Sequence, residues 1–261
     1  MNEKFAEYLS IQKQFKKHNF YNFIISFTAV TELNLTKDFI LPVMERMTVS
    51  AIENIGFIIF LVVFPHFIPL PFYSYAIVCL TAIYLMLRRD KKTFRDIGLL
   101  KEKLTFKAFF LGAVTAIVWV AFMQLVYIPT IKYFFQVPEY SEYNYIKSSL
   151  ARLVITIAAA LIIGGFYEEV VFRGYIQNVL ENRIFKRYRP IVSVLIASVL
   201  FGLYHVQQDI FAVVAAAMGG LYWSILYKKS GNLWAAIFSH ALFDTITLIL
   251  IYKNALGVFS F

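Results

Sequence analysis

Charge is what this sequence has least of. Only 16% of its 261 residues are Asp, Glu, Lys or Arg, while 60% are hydrophobic. A soluble domain carries roughly 25% charged residues. With a mean hydropathy of +0.66, the chain has too little polar surface to face water, which excludes a water-soluble globular domain. Cysteine is nearly missing as well. The single Cys79 cannot form an internal disulfide and reads as an inert buried thiol. The alternating pattern of barrel strands is absent, since the apolar runs are continuous. So is the helical HExxH signature of many zinc hydrolases. No soluble domain, long linker, internal repeat or low-complexity segment stands out. No secretory signal is evident: the first eighteen residues carry Lys4, Lys13, Lys16 and Lys17 and lack a small-residue cleavage site after a short apolar core.

What the chain does have is apolar runs approaching the ~20 residues that a membrane-spanning helix requires. They predict an all-α, polytopic transmembrane helical bundle of about seven spans, near 50–68, 71–87, 106–128, 149–180, 190–207, 210–227 and 233–251. Gly164 and Gly165 mark a candidate bend in the long fourth span. The stretch "NFYNFIISFTAV" is too short to cross and reads as an interfacial or docking helix; if residues 20–45 do cross, they add an eighth span. The chain then divides into a cytoplasmic or interfacial segment (1–48), an N-terminal transmembrane region (49–147), a C-terminal transmembrane core (148–251) and a short tail (252–261).

The net charge of +9 invites a nucleic-acid partner, but the cations sit in short blocks between apolar runs. "RRDKKTFRDIGLLKEKLTFK", "RIFKRYR" and the Lys228–Lys229 pair are basic, whereas the loop from 129 to 147 holds only Lys132 and Lys147. Seven spans with the N-terminus inside put every basic loop on the cytoplasmic face, as the positive-inside rule requires. The partner implied is membrane lipid, not nucleic acid.

Against this background six ionisable residues stand out: Glu168, Glu169, Arg173, His205, His240 and Asp244. At membrane depth each costs at least ~2.5 kcal/mol on insertion scales and marks function by default. Glu169 and Arg173 are four apart, share a helix face and can neutralise each other. Glu168 points about 100° away and has no equal claim on Arg173. His205 ends "FGLYH", with Phe201 one turn earlier. His240 and Asp244, in "HALFD", are an i, i+4 pair in the last span. Asp244 can accept the imidazole N–H and fix the tautomer, or bind a reacting water or metal directly. His18, in the cationic tail, and His66, in "FPHFIPLPF", read as bland. At 1.5 Å per residue, Glu168, His205 and His240 lie roughly 20, 25 and 12 Å from the same membrane face, and helix tilt absorbs a difference of ~10 Å. One carboxylate and two imidazoles can therefore aim at one point. Such a set suits water activation: a base takes the proton, and imidazoles hold the water or the oxyanion. A metal, if bound, lowers the water's pKa.

"EEVVFR", "FGLYH" and "HALFD" fit the EExxxR, FxxxH and HxxxN/D motifs, in order and at membrane depth. In these the chain resembles the CPBP family of CAAX-processing and bacteriocin-processing intramembrane proteases, also called the Abi family. The flanks "RGY", "YKKSGNLWAAIFSH" and "FRDIGL" are similar too, and the resemblance spans about residues 148–250. It implies that Glu168 activates water, that His205 and His240 bind that water or a metal, and that Asp244 completes the set. Glu169, Arg173 and Phe201 would support them. The third motif often ends in Asn; here Asp244 adds a negative charge, which leaves both a metalloprotease and a metal-free glutamate protease open.

The expected function is thus an intramembrane endopeptidase that cleaves a membrane-associated or lipidated peptide. The substrate would be a prenylated protein, or a leader, quorum or bacteriocin peptide. The cofactor would be a divalent metal such as zinc, held by Glu168, His205, His240 and Asp244, or none. The location would be a bacterial plasma membrane, or the endoplasmic reticulum in a eukaryote. Two rivals from other classes are a proton-coupled transporter and a non-catalytic scaffold or bacteriocin self-immunity protein. No inverted repeat supports the transporter. Two minor signals read as incidental: the sequon at Asn34, and the Ala215/Gly219 and Ala216/Gly220 pairs, which suit close helix packing.

Overall fold

A computed structural model describes residues 49–67, 73–134, 144–185 and 189–255. The candidate interfacial helix and any eighth span at 20–45 lie outside these residues. The described residues hold helices and no strand, the polytopic all-α bundle that the apolar runs predict. The seven principal helices are α1 Val49–Phe67, α2 Tyr75–Arg89, α3 Phe106–Phe134, α4 Leu150–Ile184, α5 Arg189–Tyr204, α6 Ile210–Ser230 and α7 Leu233–Tyr252. Each matches one run foreseen from hydropathy. By length and composition α1, α3, α4, α6 and α7 are long and apolar enough to cross a membrane, and α5 is a shorter apolar helix. The chain is an integral membrane protein.

Local chemistry sets the helix ends. Thr105 accepts the amide N–H of Ala108 at 3.2 Å to start α3, and Asp209 accepts that of Ala212 at 2.8 Å to start α6, each satisfying an orphan donor of the first turn. Between α6 and α7, Gly231 takes a left-handed φ of +59°. Asn232 then accepts the amide N–H of Trp234 at 3.0 Å. A glycine that closes one helix and an asparagine that opens the next give a sharp reversal with almost no loop.

Arrangement by polarity is inverted relative to a soluble protein. Ile77, Phe110, Ile155 and Ile191 point outward at 60–72% exposure, the expected face toward lipid. Arg173, Tyr167, Tyr175 and Gln177 are among the most deeply buried large side chains. At the basic end of the bundle Arg183 ties three helices: it pairs with Asp90, just after α2, at 2.6 Å and donates to Asn54 of α1 at 3.2 Å.

Helix α4 runs unbroken for 35 residues, so Gly164 and Gly165 do not interrupt it. Much of it is π-helical, over Leu161–Glu168, Val170–Ile176 and Leu180–Ile184. Such widened turns concentrate at functional sites. The glycines serve close approach instead. A Cβ on Gly165 would lie 2.4 Å from Ala241 Cβ and 2.9 Å from Ala241 Cα, and one on Gly164 would meet the carboxylate of Asp244. The small residues of α6 divide: Gly220 packs on Ser198 of α5, whereas Gly219 faces the ring of Trp223 on its own helix.

Replacing Gly165 with Ala should push α4 and α7 apart. Overpacking of this kind costs about 1–3 kcal/mol, read as a lower thermal midpoint in detergent micelles. Gly56, whose Cβ would meet nothing within 4 Å, is the control. Gly56→Ala should leave the midpoint unchanged or raise it slightly.

Candidate active site

The first motif delivers two carboxylates to one imidazole. Glu169, fully buried, pairs through Oε1 with Arg173 at 3.0 Å one turn on, and the same oxygen takes Nδ1 of His240 at 2.8 Å. The other edge of that imidazole, Nε2, faces Glu168 Oε2 at 4.0 Å and Asp244 Oδ2 at 3.7 Å. Adjacent glutamates thus meet opposite edges of a single histidine, and π-helical turns carry them there. The i, i+4 spacing of His240 and Asp244 is compatible with Asp244 holding the imidazole N–H. In the structure Glu169 fills that role, and Asp244 stands on the open side with 24% of its side chain exposed.

Hydrogen-bond partners assign the tautomers. Nδ1 of His240 faces a carboxylate and donates; when the ring is neutral, Nε2 is the acceptor. Nδ1 of His205 lies 2.8 Å from the carbonyl oxygen of Phe201; a carbonyl only accepts, so His205 also keeps an Nε2 lone pair free. No ion pair joins His205 to Glu168. His205 meets the others through the Phe201 ring, 4.8 Å from its own ring centroid and 5.8 Å from that of His240. Phe201 is therefore the shared wall of both imidazoles. Its ring also covers the Arg173 guanidinium at 4.3 Å, a cation–π contact in a dry setting. Arg173 needs it, because its N–H groups have no well-aligned hydrogen-bond acceptor.

Two partners escaped the sequence reading. The indole of Trp223, on α6, stacks on His240 at 3.8 Å and 18° and lies 5.5 Å from the Arg173 guanidinium. It also donates its N–H to Ser239 at 3.2 Å, which fixes the plane of the stack. Its spacing from Gly219 was visible, but an aromatic on an apolar helix gives no sign of which neighbour it will cover. His66, read as bland, packs on Tyr204 at 5.0 Å and accepts a hydrogen bond from the Gln207 amide. It sits beside His205 rather than apart in a turn.

Zinc is held by ligand atoms at about 2.0–2.3 Å, four around one point. Among the described residues, no group of three or more His, Cys, Asp or Glu stands at a spacing that could hold a metal ion. Nδ1 of His240 is committed to Glu169 and Nδ1 of His205 to a carbonyl, which leaves each Nε2 for a water or a metal; at the spacing observed no chemistry is derived through a metal.

The Glu169–Arg173 pair is 0% and 1% exposed. Breaking a buried pair from one side strands a charge and costs about 3–5 kcal/mol. Glu169→Gln and Arg173→Met should each lower the unfolding midpoint sharply in micelles. The double variant should lose clearly less than the sum, because no lone charge is left.

Comparison with known proteins bears on this geometry. Residues 150–246 match the model of the Rce1-like family, described as type II CAAX prenyl endopeptidase Rce1-like. A curated relative, "Putative membrane peptidase YdiL" of Bacillus subtilis (strain 168), is 25% identical over 96 residues, which cover 37% of this chain and 37% of the relative. No solved structure matches. The matched stretch contains all three motifs and every charged residue of the buried cluster. Over residues 150–246 the chain is thus similar to the Rce1-like family, in line with the resemblance that its motifs carry, and the match spans little more than a third of the chain and of the relative.

Proposed function

We propose that this protein is an intramembrane endopeptidase that hydrolyses a peptide bond of a membrane-associated or lipidated peptide, with Glu168 as the general base. The observation that carries the reading is the single imidazole of His240, gripped on one edge by Glu169 and confronted on the other by Glu168 and Asp244 within the helix bundle. Separations of 3.7–4.0 Å are too long for direct hydrogen bonds and suit one bridging water. Such a water would give a proton to Glu168 and attack the peptide carbonyl. The carbon–nitrogen bond then breaks, and Glu168 returns the proton to the leaving amine. His240, Asp244 and His205 would hold the water and the developing oxyanion, while Glu169, Arg173, Phe201 and Trp223 position His240. The spacing, which among the described residues brings no three of these groups to a metal-holding distance, supports a metal-free step. The family match at 150–246 supports a peptide substrate, and the apolar surround supports one that arrives through the membrane.

General-base catalysis contributes roughly 10²–10⁴-fold. Glu168→Gln and Glu168→Ala should therefore cut cleavage of a membrane-inserted reporter peptide by at least ~100-fold without changing the thermal midpoint. His240→Ala should act likewise, and His205→Ala more weakly. Full activity in all four variants would sink the assignment. Wild-type biological function from Glu168→Ala would instead favour the scaffold, and substrate-dependent proton flux in liposomes without cleavage would favour the transporter.

Cleavage should also survive dialysis against a chelator, with no stoichiometric metal in the purified protein. Loss of activity restored by added zinc would overturn the metal-free step and leave the protease reading standing.

A further inference from the structure

On the cytoplasmic half of the bundle, away from the motif cluster, a groove of about 380 Å³ opens between α3 and α6, lined by Leu111, Thr115, Tyr222, Ile225, Leu226, Lys229 and Ser230. The α6 residues recur at three- and four-residue intervals, so they form one face, which runs roughly 10 Å from Tyr222 to Lys229. The walls contain hydroxyls but do not offer them. Thr115 Oγ1 sits 2.7 Å from the Leu111 carbonyl, 3.0 Å from that of Gly112 and 3.1 Å from Ser239 Oγ. The Tyr222 hydroxyl donates to the Thr115 carbonyl at 2.7 Å. With its polar atoms used internally, the floor presents hydrocarbon alone. The groove changes character only at its cytoplasmic mouth. There the neighbouring cation Lys228 is consumed by Glu181, at 2.7 and 2.8 Å, while Lys229 has no ion pair among the described residues.

We propose that this groove is a binding site for one anionic phospholipid, its acyl chain lying along Leu111, Ile225 and Leu226 and its phosphate headgroup on Lys229. An apolar slot ending in an unpaired cation at membrane-surface depth matches the polarity profile of that molecule from tail to head. A juxtamembrane Lys favours an anionic over a zwitterionic headgroup by about 1 kcal/mol, or about fivefold. The site does not depend on the proposed chemistry, although its wall touches the site's support: Ser239, which faces Thr115, receives the N–H of the Trp223 that stacks on His240.

The test is native mass spectrometry of the full chain, released from nanodiscs of equal phosphatidylglycerol and phosphatidylcholine with matched tails. One retained lipid per chain, with about fivefold preference for phosphatidylglycerol, is expected. Lys229→Gln should abolish the preference, and Leu111→Trp, which fills the slot and spares the cation, should lower retention of both lipids. Lys101→Gln, in the adjacent basic loop, should change neither. Equal retention of the two lipids by the parent chain overturns the proposal. So does an unaltered preference in Lys229→Gln, an unaltered retention of both lipids in Leu111→Trp, or the same loss in Lys101→Gln.

Discussion

A buried guanidinium is the constraint from which the rest of the site follows. Arg173 lies in a membrane-depth helix with 1% exposure, where an unpaired cation is not tolerated. Glu169 neutralises it, and the same Glu169 oxygen then has a fixed position from which to hold Nδ1 of His240. Holding Nδ1 turns Nε2 toward Glu168 and Asp244. Each step removes one freedom: of the carboxylate, then of the tautomer, then of the ring edge on offer. The paired charges are therefore more than a patch over burial cost. They convert an expensive cation into a geometric reference for the imidazole.

Aromatic side chains complete what the charges begin. Phe201 covers Arg173, walls His240 and supplies the carbonyl that orders His205. Trp223 fixes the plane of the His240 ring from the opposite helix pair. Gly164 and Gly165 let α7 approach α4 closely enough for these contacts, with Ala241 against one glycine and Asp244 over the other. Dryness and close packing thus cooperate: the polar groups interact strongly because little water and few voids separate them.

Much of this was legible from residue types and spacing. Seven apolar runs foretold the seven principal helices, since a bilayer demands lengths that water does not. The Glu169–Arg173 pair was readable because i, i+4 geometry survives in any helix, and the cost of burial made the pairing necessary. Less legible was what side chains do beyond their own helix. The spacing in "HALFD" permits Asp244 to hold His240, but rotamer choice is made by what the opposite helix presents, and α4 presents Glu169. The two glycines announced irregularity without saying which kind: their lack of a Cβ serves either a bend or close contact, and only the partner helix decides. The π-helical widening of α4 has no local signature at all, and it is what brings both glutamates to one ring.

Asp244 gives the arrangement its last physical demand. An ionised carboxylate offers acceptors only, whereas a protonated one or an imidazolium supplies an O–H or N–H as well. Glu168, Asp244 and Nε2 of His240 thus meet across 3.7–4.0 Å with more acceptor lone pairs than hydrogens of their own. An asparagine at 244 would supply an N–H and satisfy the geometry internally. With aspartate, whatever enters must bring hydrogens, and a water molecule brings two, enough to bridge a base and a second acceptor at once. In the proposed reaction the water that Glu168 deprotonates is thus also one that can bridge these groups before any substrate arrives.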